Sequence, residues 1–424
     1  MKVFVCLLAL ALTAAIAADD IAGSWTFDLV QFGEETSPAR VELKTNGETV
    51  TGTLNELKIE GTWKDGVLKV KVTRPTGNEW GTIEGRLNGA DLRGTVHRGS
   101  DNLEWVARRV PAPSSAAPQT HAFEPTAFHR YFSGTIAPAL HINPGDTVRT
   151  TTVDAGGTDF TGKRRSLGGN PETGPFYIEG AMPGDTLIVK FTRVRLNRDS
   201  AMSGDSVVPS ALNPGYFRGL EKVEKFDSEW KLDRDNGMAM LKNPTERLRN
   251  YRVPLRPMLG CVAVAPAPGQ TLRAGYLGPF GGNMDYNELR ESTTVYLPVN
   301  VPGALLFIGD GHALQGDGEL TGDALETSME VEFTVNVEPD GGQRQPRFEN
   351  DDYIMLGGIG NSLPEAVQQA TTGMSQYLAK RYKLNPAEVA IVLGTAVRYD
   401  IAELVDPLVH VVAKLPRKTL AGLQ

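Results

Sequence analysis

The sequence predicts a mainly β protein with a β-sandwich or barrel-like core. A small antiparallel β domain precedes this core and a small helical appendix follows it. Glycine (46) and proline (27) are plentiful among the 424 residues, and both favour the turns that join short strands. Runs of alternating apolar residues recur between those turns. Only after Ser362 does the apolar spacing become that of a helix.

Residues 18–110 form the first predicted domain, a small antiparallel β unit, in which Gly23-Ser24-Trp25 resembles the opening of lipocalin-like barrels. Alternating runs such as 49–54 and 67–72 are separated by Gly-containing turns, as in a small meander or barrel. Four of the five tryptophans lie here, namely Trp25, Trp63, Trp80 and Trp105. They either fill the core of the domain or form a face that binds a ligand.

Residues 123–350 are the predicted β-rich core, and residues 111–122 before it, rich in Pro, Ala and Ser, are predicted to be a linker. Pro-Gly pairs that specify type II turns precede hydrophobic strands four times in this region. These pairs begin at residues 144, 183, 268 and 302. The run 329–337 alternates strictly and should bury one face of a strand.

Residues 351–424 are predicted to form an α segment that packs on the core. Ser362 and Glu365 have the spacing of a capping box, with proline in the first turn. Apolar residues then recur on one helical face as far as Tyr377, and a second helix is expected to begin at Asn385.

The N-terminal residues 1–17 are typical of a secretory signal peptide. Lys2 precedes an apolar run, and residues 15–17 form an A-x-A cleavage site. We therefore expect a secreted or periplasmic protein without a membrane span after cleavage. Cys6 would leave with the signal, so Cys261 would remain as a single buried strand residue without a disulfide partner. Stability would then depend on core size, metal or oligomerisation, and we expect a homo-oligomer, a dimer.

The net charge is −8, and the sequence shows no cluster of basic residues. We therefore expect no nucleic-acid partner. The sequence also lacks a Gly-x-Ser-x-Gly elbow, a Walker loop and a dinucleotide-binding fingerprint. These absences argue against the corresponding classes of hydrolase and nucleotide-dependent enzyme.

Residues 309–319, GDGHALQGDGE, are the strongest candidate for a functional site. They follow the apolar run 304–308 and place Asp310, His312 and Glu319 among glycines. In an extended chain Asp310 and His312 point the same way, which suits two ligands of one metal ion or an aspartate that orients a histidine. A polar loop in which aspartate caps turns is the alternative. The spacing excludes an EF-hand.

Three further candidates lie near glycines in other segments. Asp154 ends a predicted strand and could supply a ligand from a distant part of the chain. Glu179 follows the apolar residues 176–178, where burial would raise its pKa and suit acid–base catalysis. Asn283 lies among backbone amides that could bind an oxyanion. The structural alternatives are a turn aspartate, a surface glutamate and an ordinary Gly-rich turn.

Several motifs in order resemble those of the acetamidase/formamidase family, over roughly residues 125–415. The matching segments are residues 144–146 (PGD), 154–157 (DAGG), 173–181 (TGPFYIEGA), 183–185 (PGD), 282–285 (GNMD), 297–299 (LPV), 309–319 and 405–407 (VDP). The resemblance implies a β-rich amidohydrolase that cleaves short amides to a carboxylate and ammonia with a divalent metal. The first β domain and the signal segment are not part of the family's catalytic core.

From these residues and the resemblance we hypothesise a metal-dependent amidase acting on a small amide similar to formamide or acetamide. Asp154, Asp310 and His312 would hold a divalent metal, with zinc as the first expectation and calcium as the alternative. Glu179 or Glu319 would accept the proton of the attacking water. Asn283 would stabilise the oxyanion.

Two other functions remain open on the sequence. One is a non-catalytic secreted protein that binds a ligand through its N-terminal barrel, against which the presence of both GDGH and GDGE argues. The other is a metal hydrolase of another small C–N substrate, such as a lactam or a carbamate.

Overall fold

The computed structural model describes residues 21–35, 38–110, 116–221 and 226–423, so the predicted signal segment lies outside the described residues. The chain divides into two compact units, Met1–Val110 and Pro111–Gln424. None of the helices among the described residues has the length and apolar composition needed to cross a bilayer.

The first unit is an antiparallel β barrel. Its strands are β1 (Gly23–Gln31), β2 (Glu34–Glu35), β3 (Ala39–Asn46), β4 (Thr49–Leu54), β5 (Leu57–Lys64), β6 (Val67–Thr73), β7 (Glu79–Asn88), β8 (Asp91–Arg98) and β9 (Asp101–Arg109). Strand β9 pairs with both β8 and β1, so β1 and β3–β9 close into an eight-stranded barrel. The short strand β2 pairs only with β1. The structure confirms the predicted small antiparallel domain.

Aromatic side chains fill the interior of this barrel. Trp25, Trp63 and Trp105 are buried in its core, and Phe27 stacks on Trp105. The remaining internal space is about 20 Å³ and is lined by apolar side chains, whereas ligand pockets usually exceed about 300 Å³. Trp80 is only partly buried and packs beneath the Arg98 guanidinium. Three of the four tryptophans are therefore core residues, and the barrel interior does not offer a ligand site.

The second unit contains 22 strands and four helices among the described residues. The strands are β10 (Thr120–Ala122), β11 (Tyr131–Ser133), β12 (Leu140–Ile142), β13 (Thr147–Thr151), β14 (Thr173–Ile178), β15 (Thr186–Leu196), β16 (Ser200–Met202), β17 (Glu229–Asp233), β18 (Met238–Leu241), β19 (Val253–Pro254), β20 (Met258–Ala263), β21 (Thr271–Arg273), β22 (Leu277–Gly278), β23 (Gly281–Asn283), β24 (Thr294–Pro298), β25 (Leu306–His312), β26 (Glu326–Thr327), β27 (Met329–Glu338), β28 (Arg347–Glu349), β29 (Tyr353–Gly360), β30 (Arg398–Glu403) and β31 (Val409–Pro416). The helices are α1 (Pro214–Arg218), α2 (Leu363–Tyr382), α3 (Pro386–Ala396) and α4 (Arg417–Leu420), with 3-10 turns at Pro209–Ala211 and Glu246–Leu248.

Two large sheets enclose the core of this unit. One has the order β10-β13-β27-β15-β24-β28-β29-β31-β30. The other runs β19-β18-β17-β16-β26-β25-β20-β23-β22, with β14 also paired to β25 and β12 to β14. Phe333 of the first sheet meets Phe176 of the second edge-to-face, with ring centroids 5.3 Å apart. The predicted alternation of β27 is confirmed, because Met329, Val331 and Val335 are buried as well.

Two predicted boundaries differ from the structure. The end of the predicted linker is an edge strand: β10 pairs with β13, and the Asp146 carboxylate accepts hydrogen bonds from Gln119 N and faces His121 Nε2 at 2.9 Å. The segment 351–424 supplies three strands, β29–β31, besides its helices. Strands β29 and β31 are buried on both faces, so their apolar runs carry no period that distinguishes them from helix. The predicted helical appendix is present as α2 and α3, and Asn385 and Glu388 form its capping box.

His410 of β31 is a buried base that should make folding sensitive to acid. Its Nδ1 donates to the Met284 carbonyl oxygen at 2.7 Å, and burial lowers its pKa from 6.5 to about 4. The folded chain therefore stays neutral at His410 while the unfolded chain takes up a proton between pH 6.5 and about 4. Stability attributable to this residue is complete above pH 6.5 and is lost as the pH falls.

Between pH 7.5 and pH 5, the unfolding free energy of the parent should fall by roughly 2 kcal/mol more than that of a His410→Gln variant. Urea unfolding in EDTA at the two pH values measures this difference without a contribution from bound metal. His141→Gln, at a histidine whose side chain is 58% exposed, is the control. Equal acid sensitivity in the parent and the His410 variant would contradict the prediction.

Candidate active site

Strand β25 carries the first two candidate residues through the middle of a sheet. It runs from Leu306 to His312, so Asp310 and His312 lie within the strand and not in a loop after it. All seven residues of β25 are buried between β20, β26 and β14. The two side chains do face the same space, as predicted, with His312 Nε2 3.4 Å from Asp310 Oδ2.

Four buried carboxylates surround His312 and form what we call the carboxylate cluster: Asp285, Asp310, Glu319 and Glu326. Besides the Asp310 contact, His312 Nε2 lies 3.0 Å from Glu326 Oε1, 3.9 Å from Asp285 Oδ1 and 4.0 Å from Glu319 Oε1. Glu326 reaches His312 because β26 pairs with β25 and places the two residues directly opposite. Chain segments far apart in sequence therefore meet at one imidazole.

The backbone is strained at this site. Asp285, Asp310 and Glu319 have φ values of 42°, 51° and 45°, and the neighbouring Asn170 has 52°. Residues with a Cβ seldom adopt this left-handed conformation, which costs of the order of 1 kcal/mol each and persists where the surroundings enforce it. Such strain commonly accompanies functional sites, and here it aims three carboxylates at one point.

The charges of the cluster are not balanced by protein cations. Burial raises the pKa of Asp285 and Glu319 well above their usual range and that of Glu326 to about 8. Burial also opposes the charged form of His312, but the Glu326 and Asp310 carboxylates outweigh it and hold the pKa of His312 well above its usual range. In the part of the chain that the structure describes, no lysine or arginine pairs with these four carboxylates.

The arrangement fits a divalent cation. Asp285 Oδ1, Asp310 Oδ1 and Glu326 Oε2 are buried without a hydrogen-bond partner, although such groups normally have one. His312 Nε2 makes no well-oriented hydrogen bond either, although Glu326 Oε1 is 3.0 Å away. Two overlapping donor groups, Asp285–His312–Glu319 and Asp310–His312–Glu326, have ligand atoms within 4.8 Å of one another. One imidazole nitrogen with carboxylate oxygens is a donor set that suits zinc and other divalent ions.

Gly260 of β20 forms the floor of this space. A Cβ there would lie 2.4 Å from Asp285 Oδ1, 2.6 Å from Asp310 Oδ2 and 3.0 Å from His312 Cε1. The Gly260 carbonyl also accepts hydrogen bonds from the Met284 and Asp285 N–H groups. The absence of a side chain at Gly260 therefore leaves room where the ligand atoms converge.

Asn283 is close to the cluster, but it is not a free oxyanion donor. Its Nδ2 donates to Asp285 Oδ2 and to Asp406 Oδ2, both at 2.8 Å. The Oδ1 atom of Asn283 accepts a hydrogen bond from Asn170 Nδ2 at 3.0 Å. Asn170 Nδ2 also donates to Asp310 Oδ2 at 3.2 Å. Both N–H groups of Asn283 already donate to carboxylates, so its predicted oxyanion role stays a prediction that this arrangement does not support.

Asp154 does not belong to the cluster. Its Oδ2 is paired with Arg198 Nη2 at 2.7 Å, and its Oδ1 accepts from Thr158 N at 2.8 Å. These contacts give Asp154 a structural role, and its predicted role as a metal ligand stays a prediction.

An Asp154→Asn variant is expected to lower the unfolding free energy by about 3 kcal/mol, because breaking a buried ion pair leaves the arginine charge unpaired. Zn²⁺ affinity should be unchanged. Urea unfolding and calorimetric titration with Zn²⁺ measure the two effects. Loss of Zn²⁺ binding with unchanged stability would restore Asp154 as a ligand.

Glu179 is also placed away from the cluster. Its side chain is 25% exposed, and its Oε1 lies 2.8 Å from Nδ1 of the exposed His141. His141 in turn stacks on Tyr177. Glu179 is therefore not buried as expected, because the strand end that carries it lies at the surface, and its role as a general base stays a prediction. Glu319 is the one of the two predicted bases that lies at the cluster.

Sequence reasoning missed Asp285 and Glu326. Asp285 belongs to the GGNMD segment that the sequence already marked, and its position after two glycines was a usable signal. Glu326 carried no signal, because only the pairing of β26 with β25 places it opposite His312. Cys261 is a buried free cysteine, as predicted.

Similar proteins fit this site and fold. A model of the acetamidase/formamidase family matches residues 278–420, a range that contains all four carboxylates of the cluster and His312. A Schizosaccharomyces pombe protein provisionally named a formamidase is 24% identical over 370 residues, covering 67% of this chain and 87% of that protein. The formamidase of Methylophilus methylotrophus is 32% identical over 150 residues, which are 30% of this chain and 36% of that enzyme.

The fold agrees with a solved member of the same family. The predicted acetamidase/formamidase of the thermophile Thermoanaerobacter tengcongensis superposes with a TM-score of 0.61 at 26% identity. The match covers 73% of this chain and 99% of that one, so nearly the whole of that protein has its counterpart here. Together with the ordered motifs and the matched relatives, this likeness supports a relationship of the chain to the acetamidase/formamidase family.

Proposed function

We propose that this chain hydrolyses small non-peptide amides, of the formamide or acetamide type, to a carboxylate and ammonia with the help of a divalent cation, zinc first. The observation that carries the proposal is the set of buried, unpartnered donor atoms around His312. Asp285, Asp310, Glu326 and His312 would hold the cation. When bound, it would supply Lewis-acid polarisation and lower the pKa of water at the site.

Glu319 is the residue we assign to proton transfer. Its Oε1 lies 4.0 Å from His312 Nε2, and burial raises the pKa of Glu319, which makes its carboxylate a stronger proton acceptor. It would accept a proton as water adds to the amide carbon and return it to the nitrogen when the C–N bond breaks. Water and amide thus become carboxylate and ammonia without any other reactant.

The burial of the site favours small substrates. The cluster residues are at most 7% exposed, so a substrate must fit into a narrow space beside them. Asn283 keeps Asp285 and Asp406 in place through its two N–H groups, and burial raises the pKa of Asp406 to about 7. These contacts would preserve the geometry of the ligands while substrate enters and product leaves.

An ammonia-release assay tests the proposal. The purified chain, after metal analysis and with Zn²⁺ added, is incubated with formamide, acetamide, propionamide and a carbamate. It is incubated separately with a small lactam, whose ring opening releases no ammonia and is followed by the new amino group. Ammonia from the linear amides, abolished by a chelator and restored by Zn²⁺, is expected. Turnover of only the lactam or carbamate would change the substrate class. Turnover of none of the compounds would support the alternative of a non-catalytic binding protein.

We also propose that the protein is exported with cleavage near Ala18. The support is the sequence of residues 1–17 alone. N-terminal sequencing of the protein recovered from expressing cells tests this, and an intact Met1 in the fully processed protein would contradict it.

A further inference from the structure

Gln315 is a buried amide side chain that connects three segments at the cluster. Its Nε2 donates to the Asp285 carbonyl oxygen at 2.5 Å and to the Ala402 carbonyl oxygen at 3.2 Å. Its Oε1 lies 2.9 Å from His312 Nδ1. Gln315 is 6% exposed, and its three hydrogen bonds occupy both N–H groups and one acceptor site of the amide.

These contacts allow only one orientation of the Gln315 amide. Carbonyl oxygens accept hydrogen bonds and cannot donate them. The NH₂ group must therefore face Asp285 and Ala402, which leaves the oxygen facing the imidazole. Because that oxygen can only accept, His312 Nδ1 must carry a proton, whether or not the ring is charged.

We propose that Gln315 is the positioning residue of the site, which fixes the His312 proton on Nδ1 and so presents Nε2 to the carboxylate cluster as its ligand atom. The part of this inference that involves the cation rests on the proposed function. The part that involves the imidazole ring rests only on the hydrogen bonds of this chain. A metal-bound histidine generally depends on such a partner at its other nitrogen.

The same residue also supports a second donor. Asp285 has the strained φ of 42°, and its carbonyl oxygen is held by Gln315 Nε2. The hydrogen bond to the Ala402 carbonyl holds the end of β30. The next residue, Glu403, accepts hydrogen bonds at Oε2 from the Val405 and Asp406 N–H groups. One amide therefore connects the histidine ring, the strained aspartate and the segment that carries Asp406.

Two substitutions separate the imidazole contact from the carbonyl contacts. Gln315→Met keeps the length of the side chain and removes the acceptor and both donors. Gln315→Glu keeps the oxygen that accepts from Nδ1, and a protonated glutamate can still donate to one carbonyl. Both variants lose backbone support, so both should be less stable, but only the methionine variant loses the partner of Nδ1. Gln376→Met, at an exposed position in α2, is the matched control.

The experiment uses the full chain with ¹⁵N-labelled histidine and with Zn²⁺ alone as the probe. In metal-free protein, at a pH where the ring is neutral, the ¹⁵N shifts of His312 should show the proton on Nδ1 in the parent, in Gln315→Glu and in the control. In Gln315→Met the proton should move to Nε2, beside the carboxylates. Calorimetric Zn²⁺ affinity should fall about 10- to 100-fold in Gln315→Met and stay near the parent value in Gln315→Glu.

Two outcomes would overturn the proposal: an unchanged tautomer and Zn²⁺ affinity in a folded Gln315→Met, or a loss in Gln315→Glu as large as in Gln315→Met. Parent protein that binds no Zn²⁺ would refute the metal part of the proposed function. In that case the ¹⁵N shifts still decide whether Gln315 fixes the ring, so the two failures are distinguishable.

Discussion

A Gly260→Ala variant is expected to fold and to lose the amidase activity. The new methyl group would lie 2.4 Å from Asp285 Oδ1 and 2.6 Å from Asp310 Oδ2, well inside van der Waals contact. The atoms that must yield are the ends of side chains and not backbone, so the cost to stability should be about 1–3 kcal/mol. A displacement of ligand atoms by about 1 Å can reduce turnover about 100-fold, and we expect at least that loss in kcat/KM.

The measurements are kcat/KM on the best amide of the panel, Zn²⁺ affinity by calorimetry and the melting temperature. Gly275→Ala is the control, because a Cβ at Gly275 meets no atom within 4 Å. It adds the same methyl group to the same unit without filling the site. A Gly260→Ala protein with parental activity and Zn²⁺ affinity would mean that the space above Gly260 holds neither the cation nor the substrate.

His312→Ala is expected to abolish Zn²⁺ binding and amide turnover together. The imidazole is the one nitrogen donor among the clustered residues and belongs to both donor groups. Its removal leaves four buried carboxylates with no positive partner among the described side chains, which should weaken Zn²⁺ binding by more than the roughly 10- to 100-fold that loss of a supporting residue costs. Metal analysis of the purified variant and the ammonia assay measure the two losses.

Glu319→Gln provides the contrast to His312→Ala. Glutamine keeps the size of the side chain and removes the proton acceptor. We therefore expect Zn²⁺ to bind while kcat falls about 100- to 10,000-fold, the range typical of general acid–base groups. Unchanged turnover in the His312 variant would refute the proposed site. Loss of Zn²⁺ in the Glu319 variant would reassign Glu319 from proton transfer to metal ligation.

Fold class was accessible from the sequence because it depends on local patterns. The alternation of residues 329–337 gave the buried face of β27 correctly, and the spacing of Gly and Pro marked a turn-rich β protein. The strands β29 and β31 were not predicted, because a strand buried on both faces shows no alternation of apolar and polar residues. Their place beside helix α2 follows from pairing between distant segments.

The candidate site was accessible in part. Asp310 and His312 are two residues apart, so their common direction could be expected from the alternation of side chains in an extended chain. Glu319 lies in the same short segment. Asp154 and Glu179 looked equally suitable, because a carboxylate beside glycine appears the same in sequence whether it meets a metal, an arginine or solvent. The partner Arg198 comes from the bend between β15 and β16, and the partner His141 comes from β12.

The sequence by itself determined the two-unit β organisation, the family resemblance and the central pair Asp310 and His312. Only the tertiary structure decided which carboxylates join that pair. Strand pairing brings Glu326 opposite His312, the strained turn at Asp285 aims a third acid at the same point, and Gly260 leaves the space open. Sequence-distant groups meet there because burial of β25 between its neighbours fixes their positions, and that long-range packing is not encoded in any local motif.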